Sequence, residues 1–286
     1  MLEKKLINMK NLLVILLLST SVFSQGPVDG YMKNKKDFSI GVSISREKAG
    51  KLYAGKNYID TATGLDYINS GRKTYAFSIF AIYGITDKLN LQLNVPYLNV
   101  NSKAETDFQD ASIYLKYSLL EKDNSKGNLR LMLATGFAMP LSDYQTAGGS
   151  AIGQMAFSGD GRLILQQNFN NKIFASIQGG YFLKSNPTPN AMSTSLKVGY
   201  AGKFYADAWF EIVHAFGGTD YRGTGELAPT GARGGFRGLG FSNQKVGATL
   251  FYPFTKHFGA FTGFSYVLNG RNAFKNTGLN IGIVFQ

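Results

Sequence analysis

A two-residue rhythm runs from Phe38 to Phe285 and leaves this chain few folds to choose from. Leu89, Leu91, Leu93, Val95 and Tyr97 share one parity, while Asn90, Gln92 and Asn94 share the other. Successive side chains of a β-strand point to opposite faces, so such a segment is a ribbon that is apolar on one side only. The pattern returns about a dozen times in segments of about ten residues, the mark of a transmembrane β-barrel with lipid outside and a polar lumen inside.

Composition fits that reading. The 34 glycines and the 14% aromatic content both exceed ordinary usage. Glycine eases tight curvature, and Tyr and Phe anchor the two membrane interfaces. Hydrophobic residues make up only 44% of the chain, as expected when half of every strand faces water. Beyond the N-terminus no stretch offers the ~20 consecutive apolar residues of a spanning helix, so any crossing is made by strands.

The first residues read as a secretory signal. Lys4, Lys5 and Lys10 precede an apolar core from Leu12 to Leu18, and Val22 and Ser24 are small enough for a cleavage site. Residues 1–24 are therefore expected to be removed as a signal peptide, with Met9 as an alternative initiator. Residues 25–36 are expected as a periplasmic N-terminal segment, read as a disordered tether in preference to a plug of the lumen, and residues 37–286 as the barrel. There is no cysteine, which excludes disulfides and thiolate metal sites. The formal charge of +12, behind an export signal, points to anionic lipopolysaccharide or solutes rather than to nucleic acid.

Alternation predicts twelve antiparallel strands in an up-and-down barrel: 37–47, 73–84, 89–100, 108–119, 128–139, 154–166, 172–183, 194–203, 205–215, 243–253, 258–268 and 276–285. Compact connections near 85–88, 120–127, 168–171, 201–204 and 253–257 alternate with longer ones at 48–72, 140–153, 184–192 and 217–240. Outer-membrane barrels have short periplasmic turns and long external loops. An even strand count then leaves both termini periplasmic and the long loops extracellular.

Charge placement gives a third constraint. Asp110, Lys116, Arg130, Asp160, Arg162, Lys197, Asp207, Glu211 and Lys245 all fall on the lumen parity. An Arg or Lys facing lipid at mid-membrane costs about 2–4 kcal/mol. These nine residues are the expected pore lining. A soluble β-sandwich also has a polar face, but it does not predict aromatic strand ends such as Tyr75 and Tyr83, nor alternating loop lengths.

Three stretches carry a family resemblance. They are Tyr83 to Leu89 leading into Asn94-Val95-Pro96-Tyr97, then Asp110 to Tyr117, and Gly263 to Tyr266 continuing through Asn269-Gly270-Arg271-Asn272 to Gly278 through Gly282. Together they resemble the outer-membrane barrel family named after the meta-pathway of phenol degradation, a family of transporters. The chain departs from the family pattern where Gln109, not Gly, precedes Asp110, and where Phe285 is penultimate rather than last. The resemblance implies passage of small solutes, hydrophobic or aromatic compounds among them. Phe80, Phe174, Phe182 and Phe261, on the lumen parity, are compatible with that cargo.

Chemistry is sparse. Outer-membrane lipid hydrolases place a Ser two residues after a His, but Phe216 follows His214 at that spacing, and the other histidine, His257, reads as a solvated turn residue. No enzyme activity, metal or cofactor is expected. Asp207 and Glu211 share a face but lie about 13 Å apart along a strand, beyond the about 5–9.5 Å of glycosidase pairs. Ion pairing with Lys197 or Lys245 is the simpler reading. The Gly- and Arg-rich stretch 217–240, with Arg222, Arg233 and Arg237, lacks the helix that a phosphate loop requires.

The function expected from sequence is therefore an outer-membrane channel for passive passage of small solutes. Its partners are outer-membrane lipid and lipopolysaccharide, the barrel assembly machinery and a small-molecule solute. The alternatives are a non-conducting structural or surface barrel and, less favoured, a membrane-embedded lipid hydrolase.

Overall fold

The computed structural model describes residues 28–60, 72–100, 105–146, 151–220 and 236–286. Positions 1–27, the expected signal peptide among them, lie outside the described residues, as does most of the Arg- and Gly-rich stretch.

Twelve long antiparallel strands close into a barrel. They are β1 (Phe38–Ala54), β3 (Arg72–Thr86), β4 (Leu89–Val100), β6 (Asp110–Asn124), β7 (Gly127–Pro140), β8 (Ser158–Phe169), β9 (Ile173–Lys184), β10 (Ala191–Ala201), β11 (Tyr205–Ala215), β12 (Ser242–Pro253), β13 (Phe258–Arg271) and β14 (Phe274–Phe285). Neighbours pair in chain order, and the register from Ile40↔Phe285 to Leu52↔Phe274 joins β14 back to β1. Closure leaves the sheet without a long free edge.

Two short strands extend the wall. β2 (Asn57–Asp60) folds back on the end of β1, which runs seven residues past the expected Glu47. β5 (Glu105–Phe108) pairs with the end of β4, where β6 has not yet begun. Pro96 explains that break. Its carbonyl accepts from Gln109 N at 3.0 Å, so its missing N–H faces the same neighbour and interrupts the ladder there.

The phase of the rhythm survives in space. Ile44, Phe77, Ile113, Leu163, Leu196 and Phe264 are exposed on the outer face, the contiguous apolar surface a bilayer covers. Tyr83, Tyr117, Phe204 and Phe254 ring one end of it, and Tyr75, Tyr97, Phe157 and Tyr181 the other. One end of the barrel carries compact turns such as Asn124–Gly127 and is called the turn end here. The opposite, loop end carries the long connections, with one exception: Arg271 and Phe274 enclose a tight hairpin with Asn272 at φ 51°.

The lumen is lined by a device that alternation alone does not reveal. Five aromatic residues lie directly across from a glycine of the neighbouring strand: Phe80 opposite Gly41, Tyr114 opposite Gly136, Phe174 opposite Gly199, Trp209 opposite Gly247 and Phe261 opposite Gly282. A Cβ at Gly41 would sit 2.2 Å from the Phe80 ring, and one at Gly247 2.0 Å from Trp209. The rings therefore lie against the wall over bare backbone, where a 12-stranded lumen has room for them.

β8 starts four residues later than expected. Met155, expected on its lipid face, instead has φ 50° and packs inside against Leu98, Val100, Tyr144 and Ile152.

Candidate functional site

The candidate site is the lumen, into which the chain folds from both ends. Residues 28–36 enter it from the turn end. Val28 is 1% exposed and packs on Tyr114, Met132, Ala134 and Ile164, with Met32 beside them. Lys116 holds this segment: its Nζ donates to Asp29 O at 2.9 Å, to Asp29 Oδ1 at 3.1 Å and to Tyr31 O. The Tyr31 ring meets Phe174 and Tyr205 edge-on at 5.5 and 5.6 Å.

Further along, Asn90 presents its amide to Lys33; oriented to satisfy both groups, it donates to Lys33 O and accepts from Lys33 N at 2.7 Å. Lys36 N then donates to Gly84 O at 2.7 Å, and Gly84 N to Asp37 O at 2.9 Å, which leads the segment into β1. Gly84 permits this approach, since a Cβ there would lie 1.9 Å from Asn34 O. The tether expectation does not hold for these residues.

Burial pushes the Asp29 carboxyl up, but the Lys116 and Lys197 ammonium groups and the Tyr31 backbone N–H outweigh it. The net result is a group held below the usual carboxylate range, charged wherever its partner is charged. Burial and the Asp29 and Asp207 charges push the Tyr31 phenol up, so it stays neutral.

At the loop end the connections fold inward. The Tyr144 hydroxyl donates to Asp110 and accepts from Met155 N at 2.8 Å. Phe236 N donates to Thr146 O at 2.8 Å, and Gln154 Nε2 reaches Phe236 O and Leu239 O. Leu239 and Phe236 pack on Leu52, Ala54 and Phe274. Below this cap lies a cavity of about 680 Å³.

The nine charged residues expected to line a pore divide into three groups. Asp110, Glu211 and Lys245 line the cavity. Lys116, Asp160, Arg162, Lys197 and Asp207 are buried among the wall and the inserted segment. Arg162 bonds Asp160 Oδ2 through Nε at 2.9 Å and Nη2 at 2.6 Å, bonds Gln178 at 3.0 Å, and lies over the Phe182 ring. Lys197 pairs with Asp207 at 3.3 Å, as the ion-pairing reading of that carboxylate required. Arg130 pairs with Glu121 toward the turn end, away from the cavity.

Sequence reasoning missed three charged cavity residues, Glu47, Arg72 and Lys184. Arg72 and Lys184 sit one residue beyond the expected strand limits of 73 and 183, and continuing the parity by one step finds both. Glu47 already lay on the lumen parity. Of the four lumen phenylalanines, only Phe182 lines the cavity; Phe80, Phe174 and Phe261 cover glycines instead.

The histidines occupy opposite ends. His214 is exposed on the outer face, edge-on to Phe216 at 5.4 Å, where a hydrolase would need a serine. His257 is more than a solvated turn residue, since its Nδ1 lies 3.1 Å from Gln286 O while Gln286 N donates to His257 O, pinning the C-terminus. No group of three or more His, Cys, Asp or Glu suited to a metal occurs among the described residues.

No protein-family model matches the chain. No curated protein matches it in sequence. In structure it is similar to an outer membrane channel from Pseudomonas putida F1, with TM-score 0.65 and 16% identity over 90% of this chain and 99% of that one. It is also similar to the NanC porin, with TM-score 0.52 and 11% identity over 86% of this chain and 99% of that one. At these identities the likeness establishes the fold, a closed outer-membrane-type barrel.

Proposed function

We propose that this chain is an outer-membrane channel for the passive passage of small solutes. The observation that carries the proposal is how the lumen is closed. A short run of chain, residues 28–36, occupies it through hydrogen bonds, one ion pair and the packing of Val28, Met32 and Tyr31, and this run lies inside the wall rather than forming part of it. Behind it the wall carries polar and charged groups, and a cavity lies above it. A closure of this kind can be displaced without breaking the barrel.

The nine lumen charges then act through size and field along the path. Residues 1–24 are the export signal, the long loops face outward, and both termini are periplasmic. The barrel assembly machinery and lipopolysaccharide are its partners in the membrane. The resemblance to the phenol meta-pathway family extends the cargo to hydrophobic or aromatic compounds, for which Phe182 and Phe274 offer surface in the cavity. Catalysis is not part of this reading. Lipid hydrolysis that disappears in His214→Ala is the result that would reinstate it.

Planar-bilayer recording of the purified chain tests the function, with reproducible unitary conductance as the expected result. The buried Asp160–Arg162 and Lys197–Asp207 pairs favour a second reading, a permanently filled, non-conducting barrel. Silence at every salt and voltage would support that reading. Tags inserted at Gly148 and Thr230 test the orientation: both are expected to be reachable on intact cells, and one at Asn124 is not.

A further inference from the structure

Among the described residues the cavity is lined by six charged side chains, one from each of six strands. In strand order round the wall they are Glu47 on β1, Arg72 on β3, Asp110 on β6, Lys184 on β9, Glu211 on β11 and Lys245 on β12. Their signs alternate without exception, three acids and three bases. Such a ring has no net charge, so the fields of neighbours cancel toward the axis and a simple anion or cation gains little there. A solute carrying both signs on opposite ends meets a complementary group for each.

Lys184 and Glu211 make the fewest direct contacts of the six, although the Asp110 charge acts on Lys184 and the Lys245, Arg162 and Lys197 charges act on Glu211. Lys184 Nζ has a neutral partner, Gln154 Oε1, at 3.3 Å. No other described residue hydrogen-bonds the Glu211 carboxylate, although Lys245 stands directly across from it in the β11–β12 register. Lys245 itself leans toward Glu47 at 3.9 Å. Between these charges Leu98, Phe182, Val267 and Phe274 face the space and offer apolar surface, beside polar side chains such as Ser78, Asn94, Asn243 and Asn276.

Resting on the channel reading and naming its solute class, we infer that this cavity binds a zwitterion whose opposite charges are separated by an apolar body. Lys184 takes the anionic end and Glu211 the cationic end.

Three compounds of matched shape test this on the full mature chain in detergent: 4-(aminomethyl)benzoate, 4-methylbenzoate and 4-methylbenzylamine, titrated calorimetrically at neutral pH. The zwitterion is expected to bind at least fivefold tighter than either singly charged compound. Glu211→Gln should erase its advantage over 4-methylbenzoate, and Lys184→Gln its advantage over 4-methylbenzylamine. Equal or tighter binding of either singly charged compound overturns the inference, and so does absence of binding by all three. Because binding is read without conduction, selective binding by a barrel that is silent in bilayers would keep the site and remove the channel.

Discussion

The Lys116 ammonium lies 3.1 Å from the Asp29 carboxylate, joining the wall of the barrel to the segment that enters its lumen. The Lys116 side chain is 1% exposed and that of Asp29 is 37% exposed toward the lumen, so the pair is fully enclosed at the wall and only partly at the segment. Full burial of both ends would make the pair costly to break, and full exposure would make it nearly worthless. This intermediate setting suits a closure that holds at rest and is able to release.

Lys116→Gln removes a charged donor from Asp29 O, Asp29 Oδ1 and Tyr31 O. Charge-assisted hydrogen bonds contribute about 1.5–3 kcal/mol each when buried, and partial exposure of Asp29 brings the combined loss to about 1–3 kcal/mol. The open probability in planar bilayers should rise about tenfold or more, with the barrel's resistance to heat in detergent little changed. An unaltered open probability would place the anchor elsewhere.

The Asp29 carboxyl is depressed, which sets the sign of the pH response. A depressed carboxylate contributes stability that is complete above its unfolded value, near 3.8, and is lost only as pH falls through the lower folded value. Closure should therefore be insensitive to pH from neutral down to about 4 and weaken only in stronger acid. Release of the segment near pH 6, read by protease access or conductance, would show that another group controls it.

The paired rings and glycines predict a contrast between two alanine substitutions. A Cβ at Gly41 lands 2.2 Å from the Phe80 ring, whereas a Cβ at Gly159 meets nothing within 4 Å. Gly41→Ala should destabilise the barrel by about 1–3 kcal/mol through overpacking, and Gly159→Ala should stay within about 0.5 kcal/mol of the parent. Urea midpoints of the folded barrel in detergent give the comparison, and equal midpoints would mean that the rings turn aside freely.

Much of this was legible in the sequence because alternation is a local signal. Ile113 and Leu115 outward with Lys116 inward follows from parity alone, and so do the twelve long strands and their antiparallel order. The closure was not legible. Residues 28–36 carry no periodicity, and they are placed by contacts to Lys116, Asn90 and Phe174, each far away in the chain. Parity also placed Phe80 and Phe261 in the lumen correctly but said nothing of Gly41 and Gly282, which let those rings lie against the wall rather than line a path. Met155 misled for the converse reason: its apolar side chain continued the outward parity, yet a positive φ turns the chain inward before β8 begins.

Single-channel conductance of a chain beginning at Gln25 beside that of one beginning at Asp37 bears most directly on the proposed closure by residues 28–36. Small or brief openings are expected for the intact chain and larger, long-lived ones for the shortened chain, with both showing the same apolar exterior and heat resistance. Identical conductance in the two would show that the segment is no closure. Silence from both, across salts and voltages, would contradict the channel itself.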